Sequence, residues 1–322
     1  MESPAPEIDA EYRQAREEAC WAPLDRSWIE VSGPDAAEYL QSQLTNEIEA
    51  IEEGRSAYAA LLDRKGRIQA DMRVSRTGET EFLIDTEPEA AAALARHLDT
   101  YRIGRDVDCG VVERAAVALL GPALGSMLAL PRGGEGATGP VTVGGRDCLA
   151  ISTPWGADLV FEAGALAEVE SGLTELGAEP VSEATTEILR VEAGRPRLGR
   201  EIGEKTMPAE AGILDRAVSF EKGCYIGQEP VARLHYKGSP NRFLRGLRFS
   251  GRVLPDAVLT DGERDLGAVG TAVLSPAEGW IGLAIVRREA GPGTVIEAGS
   301  PDGPVRAEVV ELPFPAGSEV VS

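Results

Sequence analysis

Residues 220–238 read FEKGCYIGQEPVARLHYKG, and the rest of the chain is organised around them. Cys224 lies between Gly223 and Gly227, with Lys222 two positions before it. Glycines permit backbone conformations closed to other residues and let another group approach the main chain. A short helix is predicted to open at Glu229 and Pro230, because proline fits the first helical position, where no N–H is needed. Gly238, followed by Ser239 and Pro240, ends it. A thiol just ahead of a helix N-terminus, with a lysine nearby, is in the setting that makes a thiolate accessible. The alternative is a small buried hydrophobe in a loop, since cysteine is among the most buried residue types.

Composition bounds what surrounds this stretch. At 322 residues the chain exceeds what one core usually serves, so two or three compact units are expected, and 43% hydrophobic residues are ample to fill them. The formal charge is -21, from 53 acidic against 32 basic residues. Such a surface repels phosphate backbones, so an extensive nucleic-acid interface is not expected unless basic residues cluster locally. Cys20, Cys109, Cys148 and Cys224 are far apart with no C-x-x-C spacing, which suggests neither a zinc site nor a disulfide framework. Only His97 and His235 are available for a histidine-based metal site. The chain shows no long apolar stretch and no charged-then-apolar leader, so no membrane association and a reducing, cytoplasmic location are expected.

Residues 1–20 read as a frayed acidic tail with Pro4 and Pro6, then a short helix through Glu18 as its docked end. Ser27 to Val31 is a strand by its β-branched and aromatic content, and Gly33-Pro34-Asp35 starts a helix with Ala36, Leu40 and Leu44 along one stripe. Strands are expected at Tyr58–Leu62, Arg67–Val74 and Phe82–Asp85, the first two joined by a turn at Asp63–Gly66, with a helix from Pro88 to Leu98. Val117–Leu120, Gly121-Pro122, a helix near Leu124, a strand at Asp158–Phe161 and a helix at Leu166–Leu176 repeat that order. Between them a loop at Pro131–Pro140 and a turn at Gly144-Gly145 are expected. From Arg242 onward, short β-rich runs separated by Gly, Pro and Asp turns read as a small barrel or sandwich, with Trp280 in its core.

The run KGCYIGQE, continued by Val231-Ala232-Arg233 and Lys237-Gly238, resembles the fingerprint of the YgfZ family. These are GcvT-like, folate-binding relatives of the glycine-cleavage T-protein (an aminomethyltransferase), linked to assembly or repair of iron–sulfur proteins. The likeness extends from about residue 24 to about residue 315. Residues 33–48, the 63–74 hairpin, Glu187–Pro196 and Pro208–Asp215 each resemble a GcvT segment. The resemblance implies an α+β fold of two similar, intertwined sheet-plus-helix halves (ferredoxin-like), followed by a C-terminal β-barrel, around a central cleft. The folate-binding region is then 1–241, split near 110–120, and the barrel 242–322.

By position, Asp71 falls on the T-protein's catalytic aspartate and Glu192 on the glutamate that grips the pterin. A carboxylate accepts the pterin's adjacent N–H groups as a bidentate pair, and a buried donor left unpaired costs about 1–3 kcal/mol. Without the resemblance, Asp71 reads as a polar residue on a strand face and Glu192 as a helix-end carboxylate. Cations are expected near folate's carboxylate tail, with Arg233 preferred and Lys65, Arg67, Arg73, Arg195 and Lys222 as further candidates; Tyr225 completes the set. The implied ligand is tetrahydrofolate or a one-carbon derivative. The implied partners are iron–sulfur assembly proteins or client iron–sulfur enzymes, with any effect on tRNA modification arising through those enzymes. One thiol without companion ligands does not hold a cluster, so an assembly or repair factor using Cys224 is the first expectation. A folate-dependent aminomethyl or methyl transferase using Asp71 is the rival, and a non-catalytic folate sensor or scaffold the second.

Overall fold

The computed structural model describes residues 4–301 and 303–318. Elements follow in the order α1 (Pro6–Glu17), β1 (Cys20–Pro23), β2 (Ser27–Ser32), α2 (Ala36–Gln43), β3 (Arg55–Leu62), β4 (Ile68–Gly78), β5 (Glu81–Thr86), α3 (Pro88–Tyr101) and β6 (Asp108–Val112). Then come β7 (Arg114–Leu120), α4 (Leu124–Met127), β8 (Thr138–Val143), β9 (Arg146–Thr153), β10 (Gly156–Glu162), α5 (Leu166–Glu175), β11 (Glu179–Pro180), α6 (Glu183–Glu192), α7 (Leu214–Ala217) and α8 (Gln228–Lys237). The last are β12 (Arg242–Phe249), β13 (Val258–Thr260), β14 (Asp265–Ser275), β15 (Gly279–Arg287), β16 (Val295–Ala298), β17 (Val305–Val310) and α9 (Pro315–Ser318). None of the described helices is long and apolar enough to cross a membrane.

The chain divides into two compact units, each assembled from separated segments. One takes Arg13–Val181 and Asp215–Pro230; the other takes the residues up to Tyr12, Ser182–Leu214 and the chain from Val231. A single boundary at 241/242 was the expectation; β12 does begin at Arg242, but its unit also includes α6.

In the first unit the strand–helix order β2-α2-β3-β4-β5-α3-β6 recurs as β7-α4-β8-β9-β10-α5-β11. The sheets run β3-β4-β5-β2-β6 and β8-β9-β10-β7-β1-β11, so β1, from ahead of the first repeat, completes the second repeat's sheet. That exchange intertwines the halves. The repeat is visible at two glycines: Gly33 (φ 129°) and Gly121 (φ 109°) both follow the first strand of their half. A Cβ on Gly33 would overlap the Asp106 carbonyl oxygen, just ahead of β6, and one on Gly121 the Glu18 carbonyl oxygen, just ahead of β1. Each half brings a neighbouring chain across its Gly-Pro turn, and only glycine leaves room. The two sheets meet through Trp28 and Leu83 of one and Ala116, Ile151 and Val160 of the other. Each large apolar side chain so buried contributes about 1.5–3 kcal/mol.

The short helix expected in the N-terminal segment is α1, which opens at Pro6, where the proline's missing N–H is harmless, with Glu7 and Asp9 in the first turn. The second repeat departs from expectation in its strands. The loop expected at Pro131–Pro140 gives way to β8 from Thr138, and Pro140 is tolerated because β8 is a sheet edge. The Gly144-Gly145 turn joins β8 to β9, a strand not anticipated.

In the second unit β12-β15-β14-β13-β16-β17 close into a barrel, filled by Leu247, Phe249, Leu259, Val269, Val286 and Val309. Trp280 packs on that core while remaining half-buried. On the barrel's other face Leu244, Ile281, Leu283 and Phe314 cluster with Val191 of α6.

Candidate functional site

The β3–β4 hairpin turns at Asp63–Gly66, where the Asp63 carboxylate accepts the N–H groups of Lys65 (2.8 Å) and Arg67 (2.9 Å) and Gly66 takes φ 74°. Register then sets Ala60 opposite Asp71 and Tyr58 opposite Arg73, so Tyr58 and Asp71 are diagonal neighbours on one face. Asp71 is 5% exposed. Its Oδ2 accepts the Tyr58 hydroxyl at 2.5 Å, while its Oδ1 is buried with no hydrogen-bond partner among the described residues. Burial, then the Asp71 charge and hydrogen bond, push the Tyr58 phenol well above its ordinary range, so the proton stays on the tyrosine. The Arg216 guanidinium stands 4.9 Å from the Tyr58 ring centroid. A carboxylate with one oxygen held by a donor and the other without one among the described residues offers an acceptor that a ligand N–H would satisfy.

Next to Asp71 lies a chain of ion pairs. Asp85 accepts from Arg73 (2.8 Å) and Arg26 (2.9 Å), Arg73 reaches Asp158 of the second sheet at 2.7 Å, and Arg26 also pairs with Glu87 at 2.5 Å. Burial raises the Asp85 carboxyl, but Arg73 and Arg26 outweigh it and hold it below its ordinary range. With two carboxylates on its guanidinium, Arg73 is a structural clasp rather than a free cation.

The cysteine-bearing stretch packs on this hairpin. Thr45, fully buried, accepts from the Ala60 N–H (2.8 Å) and donates to the Ala217 carbonyl (2.6 Å), tying β3 to the segment that leads into it. Lys222 is 8% exposed, and its ammonium donates to the carbonyls of Gln41 (2.6 Å), Leu44 (2.7 Å) and Asn46 (2.6 Å), at the end of α2 and just beyond. Burial pushes it down to about 8, against the opposing pull of Glu47 and Glu49. Expected as a cation toward ligand, Lys222 instead caps a helix C-terminus with all three hydrogens. Gly227 (φ 83°) is where another group comes close: a Cβ there would overlap the Asp63 carbonyl and lie 2.9 Å from the Leu62 Cβ. Gly223 faces open space. Pinned at Lys222 and Gly227, the loop leaves Cys224 exposed. Burial raises the thiols of Cys109 (to about 11) and Cys148. Tyr225 is buried, its hydroxyl has no partner among the described residues, and burial raises it to about 12. The predicted helix is α8, opening at Gln228.

In the other unit, Glu192 ends α6 fully buried and accepts the hydroxyls of Tyr12 (3.0 Å to Oε1, 3.2 Å to Oε2) and Ser275 (2.5 Å). The carboxylate expected to grip a pterin is thus an acceptor for its own unit's hydroxyls. Arg233 is exposed on α8 with no hydrogen-bond or ion-pair partner among the described residues. Two carboxylates that sequence reasoning passed over are also fixed in this unit: Glu201 by Arg190 (3.1 Å) and Thr271 (2.6 Å), and Glu210 by Arg242 (3.0 Å).

Comparison with known proteins gives this geometry a relative. Residues 4–222 match the family described as the GCVT N-terminal domain. The chain belongs to the GCVT family. This GCVT-family chain is 32% identical to the aminomethyltransferase of Saccharopolyspora erythraea, over 89% of the chain and 83% of that protein. It is 30% identical to the aminomethyltransferase of Herpetosiphon aurantiacus, covering 95% of this chain and 90% of that one. Among solved structures, the glycine cleavage system aminomethyltransferase T of Bartonella henselae superposes with a TM-score of 0.86 at 25% identity, over 98% of this chain and 91% of that chain. The GCVT fold, mixed α+β sheets with a closed C-terminal barrel, is therefore shared along nearly the whole chain. The GCVT match ends at residue 222, two residues before Cys224, and these relatives carry the name aminomethyltransferase; neither observation singles out the YgfZ branch.

Tyr58, which donates to Asp71, is a residue that sequence reasoning missed. The signal was present: counting outward from the Asp63–Gly66 turn brings positions 58 and 71 onto one face.

Proposed function

We propose that this protein is a tetrahydrofolate-dependent one-carbon transferase of the aminomethyltransferase type, with Asp71 as its catalytic carboxylate. The observation that carries this reading is the buried, donorless Oδ1 of Asp71, on the strand position where the resemblance puts the family's catalytic acid. When bound, tetrahydrofolate supplies the reduced ring nitrogens that take up the one-carbon unit. Tyr58 fixes Oδ2 and keeps its own proton, so Oδ1 is the atom that accepts a ring N–H or steadies positive charge developing on a nitrogen beside it. Tyr225, whose buried hydroxyl has no hydrogen-bond partner among the described residues, is a second proposed contact. Lys222 is assigned no ligand contact in this reading, because its three hydrogens are already donated to carbonyls.

The test is calorimetric titration of tetrahydrofolate together with a single-turnover transfer assay, on the wild type and Asp71→Asn. Transfer is expected to fall roughly 100-fold or more with a smaller change in affinity. Full transfer by Asp71→Asn would remove the assignment.

A second reading rests on Cys224, exposed on a loop pinned at Lys222 and Gly227. Here the protein is a YgfZ-type factor for assembly or repair of iron–sulfur proteins, its Cys224 sulfur handling a cluster or sulfur species jointly with a partner. Cys224→Ala then keeps fold and tetrahydrofolate affinity while cellular iron–sulfur enzyme activities drop. Unchanged activities would discard this reading. Silence of both substitutions would point to a folate sensor or scaffold.

A further inference from the structure

Residues 230–255 contain no aspartate or glutamate, although acidic residues outnumber basic ones 53 to 32 along the chain. The same stretch carries Arg233, Lys237, Arg242, Arg245, Arg248 and Arg252, together with His235. Part of this charge is used internally. Arg242 meets both oxygens of Glu210 at 3.0 and 3.1 Å, Arg248 pairs with Glu278 at 2.6 Å, and Arg245 lies over the Phe243 ring.

The barrel adds two more cations. The β12–β15 register sets Arg242 directly opposite Arg287, and Arg288 follows, its N–H donating to the Asn241 carbonyl at 2.9 Å. Lys237, Arg287 and Arg288 are exposed and have no carboxylate partner among the described residues. Like charges directly opposite on a sheet repel. Of the two guanidinium groups only Arg242 has a carboxylate, that of Glu210, and Glu289, exposed after Arg288, is the acid next in sequence. Leading into this cluster, α8 buries only Val231 and exposes Tyr236 at 66%.

We propose that Lys237, Arg242, Arg287 and Arg288, with Tyr236 next to Lys237 in sequence, form a docking surface for an acidic protein segment. Carboxylates fit because the arginine fork takes them two N–H groups at a time, as Arg242 already takes Glu210. Tyrosine and arginine are residue types enriched among interface hot spots. A long phosphate polymer fits less well, since beyond this patch it runs into a chain of net charge -21. A compact cluster attracts within about 8 Å at physiological salt, a range suited to a short acidic segment.

The experiment measures fluorescence anisotropy of a labelled decaglutamate peptide with the full chain at low salt, about 50 mM, where screening is weak. Two charge-reversal variants are compared, Lys237→Glu and the double variant Arg287→Glu with Arg288→Glu, each shown to be folded by circular dichroism. Saturable binding by the wild type, weakened roughly ten-fold or more in both variants, supports the proposal. Absence of saturable binding, or binding indifferent to the reversals, overturns it. Tighter binding of a single-stranded RNA of equal charge through the same side chains also overturns it, in favour of a nucleic-acid surface. Tetrahydrofolate affinity is expected to be unchanged in these variants, which separates failure here from failure of the transferase reading.

Discussion

Asp71 and Lys222 carry the two sharpest consequences of single side chains. Removing the Tyr58 hydroxyl leaves both Asp71 oxygens buried without that donor, so Tyr58→Phe should cost about 1–3 kcal/mol in urea unfolding. Lys222 sits near 8 when folded against an ordinary 10.5. Between those values the unfolded chain keeps a proton that the folded chain has lost, so this group's contribution favours folding progressively as pH rises from about 8 to 10.5. Unfolding free energy should climb more steeply over that range in the wild type than in Lys222→Met, and parallel slopes would refute the assignment. Lys222→Met should also be less stable at pH 7, since three carbonyls lose their donor. Sequence reading found Asp71 through its likeness to a family strand, yet it gave Lys222 to the ligand. Nothing local in KGCYIGQE shows that an ammonium ends among carbonyls some 180 residues earlier in the chain, |i−j| being 181, 178 and 176.

Among elements, the cysteine loop and the β3–β4 hairpin act as one piece because Gly227 lets their backbones touch. Gly227→Ala adds a methyl at φ 83° and into the Asp63 carbonyl, so a loss of about 1–3 kcal/mol and faster proteolysis of the loop are expected. Gly223→Ala, which meets nothing, should be close to neutral by the same assays. The flanking glycines look equivalent in sequence; only the packed neighbour tells them apart. Between sheets, Arg73 joins Asp85 of β5 to Asp158 of β10. Arg73→Met should destabilise by about 3–5 kcal/mol in chemical denaturation, since it strands buried carboxylates. Strands rich in β-branched and aromatic residues, such as β2 and β5, were legible. β6 and β8 were not, because edge strands carry exposed residues and, in β8, a proline.

At the scale of the molecule, the barrel and α6 belong to one unit, with Val191 packed against Leu244, Ile281 and Phe314. A protein truncated after residue 241 should therefore expose that α6 face, bind a hydrophobic dye and lose cooperative unfolding, whereas an independent barrel would leave the remainder intact. Taken alone, the sequence determined the α+β class, the doubled strand–helix order and the terminal barrel. Those follow from local periodicity, from turn chemistry and from motifs contiguous along the chain. Tertiary structure decided what each polar group is free to do. It left Asp71 an oxygen with no donor, closed Glu192 and Lys222 onto protein partners, moved β1 into the second repeat's sheet and set Arg242 beside Arg287. Hydrogen-bond satisfaction depends on which distant groups arrive at the same point, and that is a property of packing rather than of spacing along the chain.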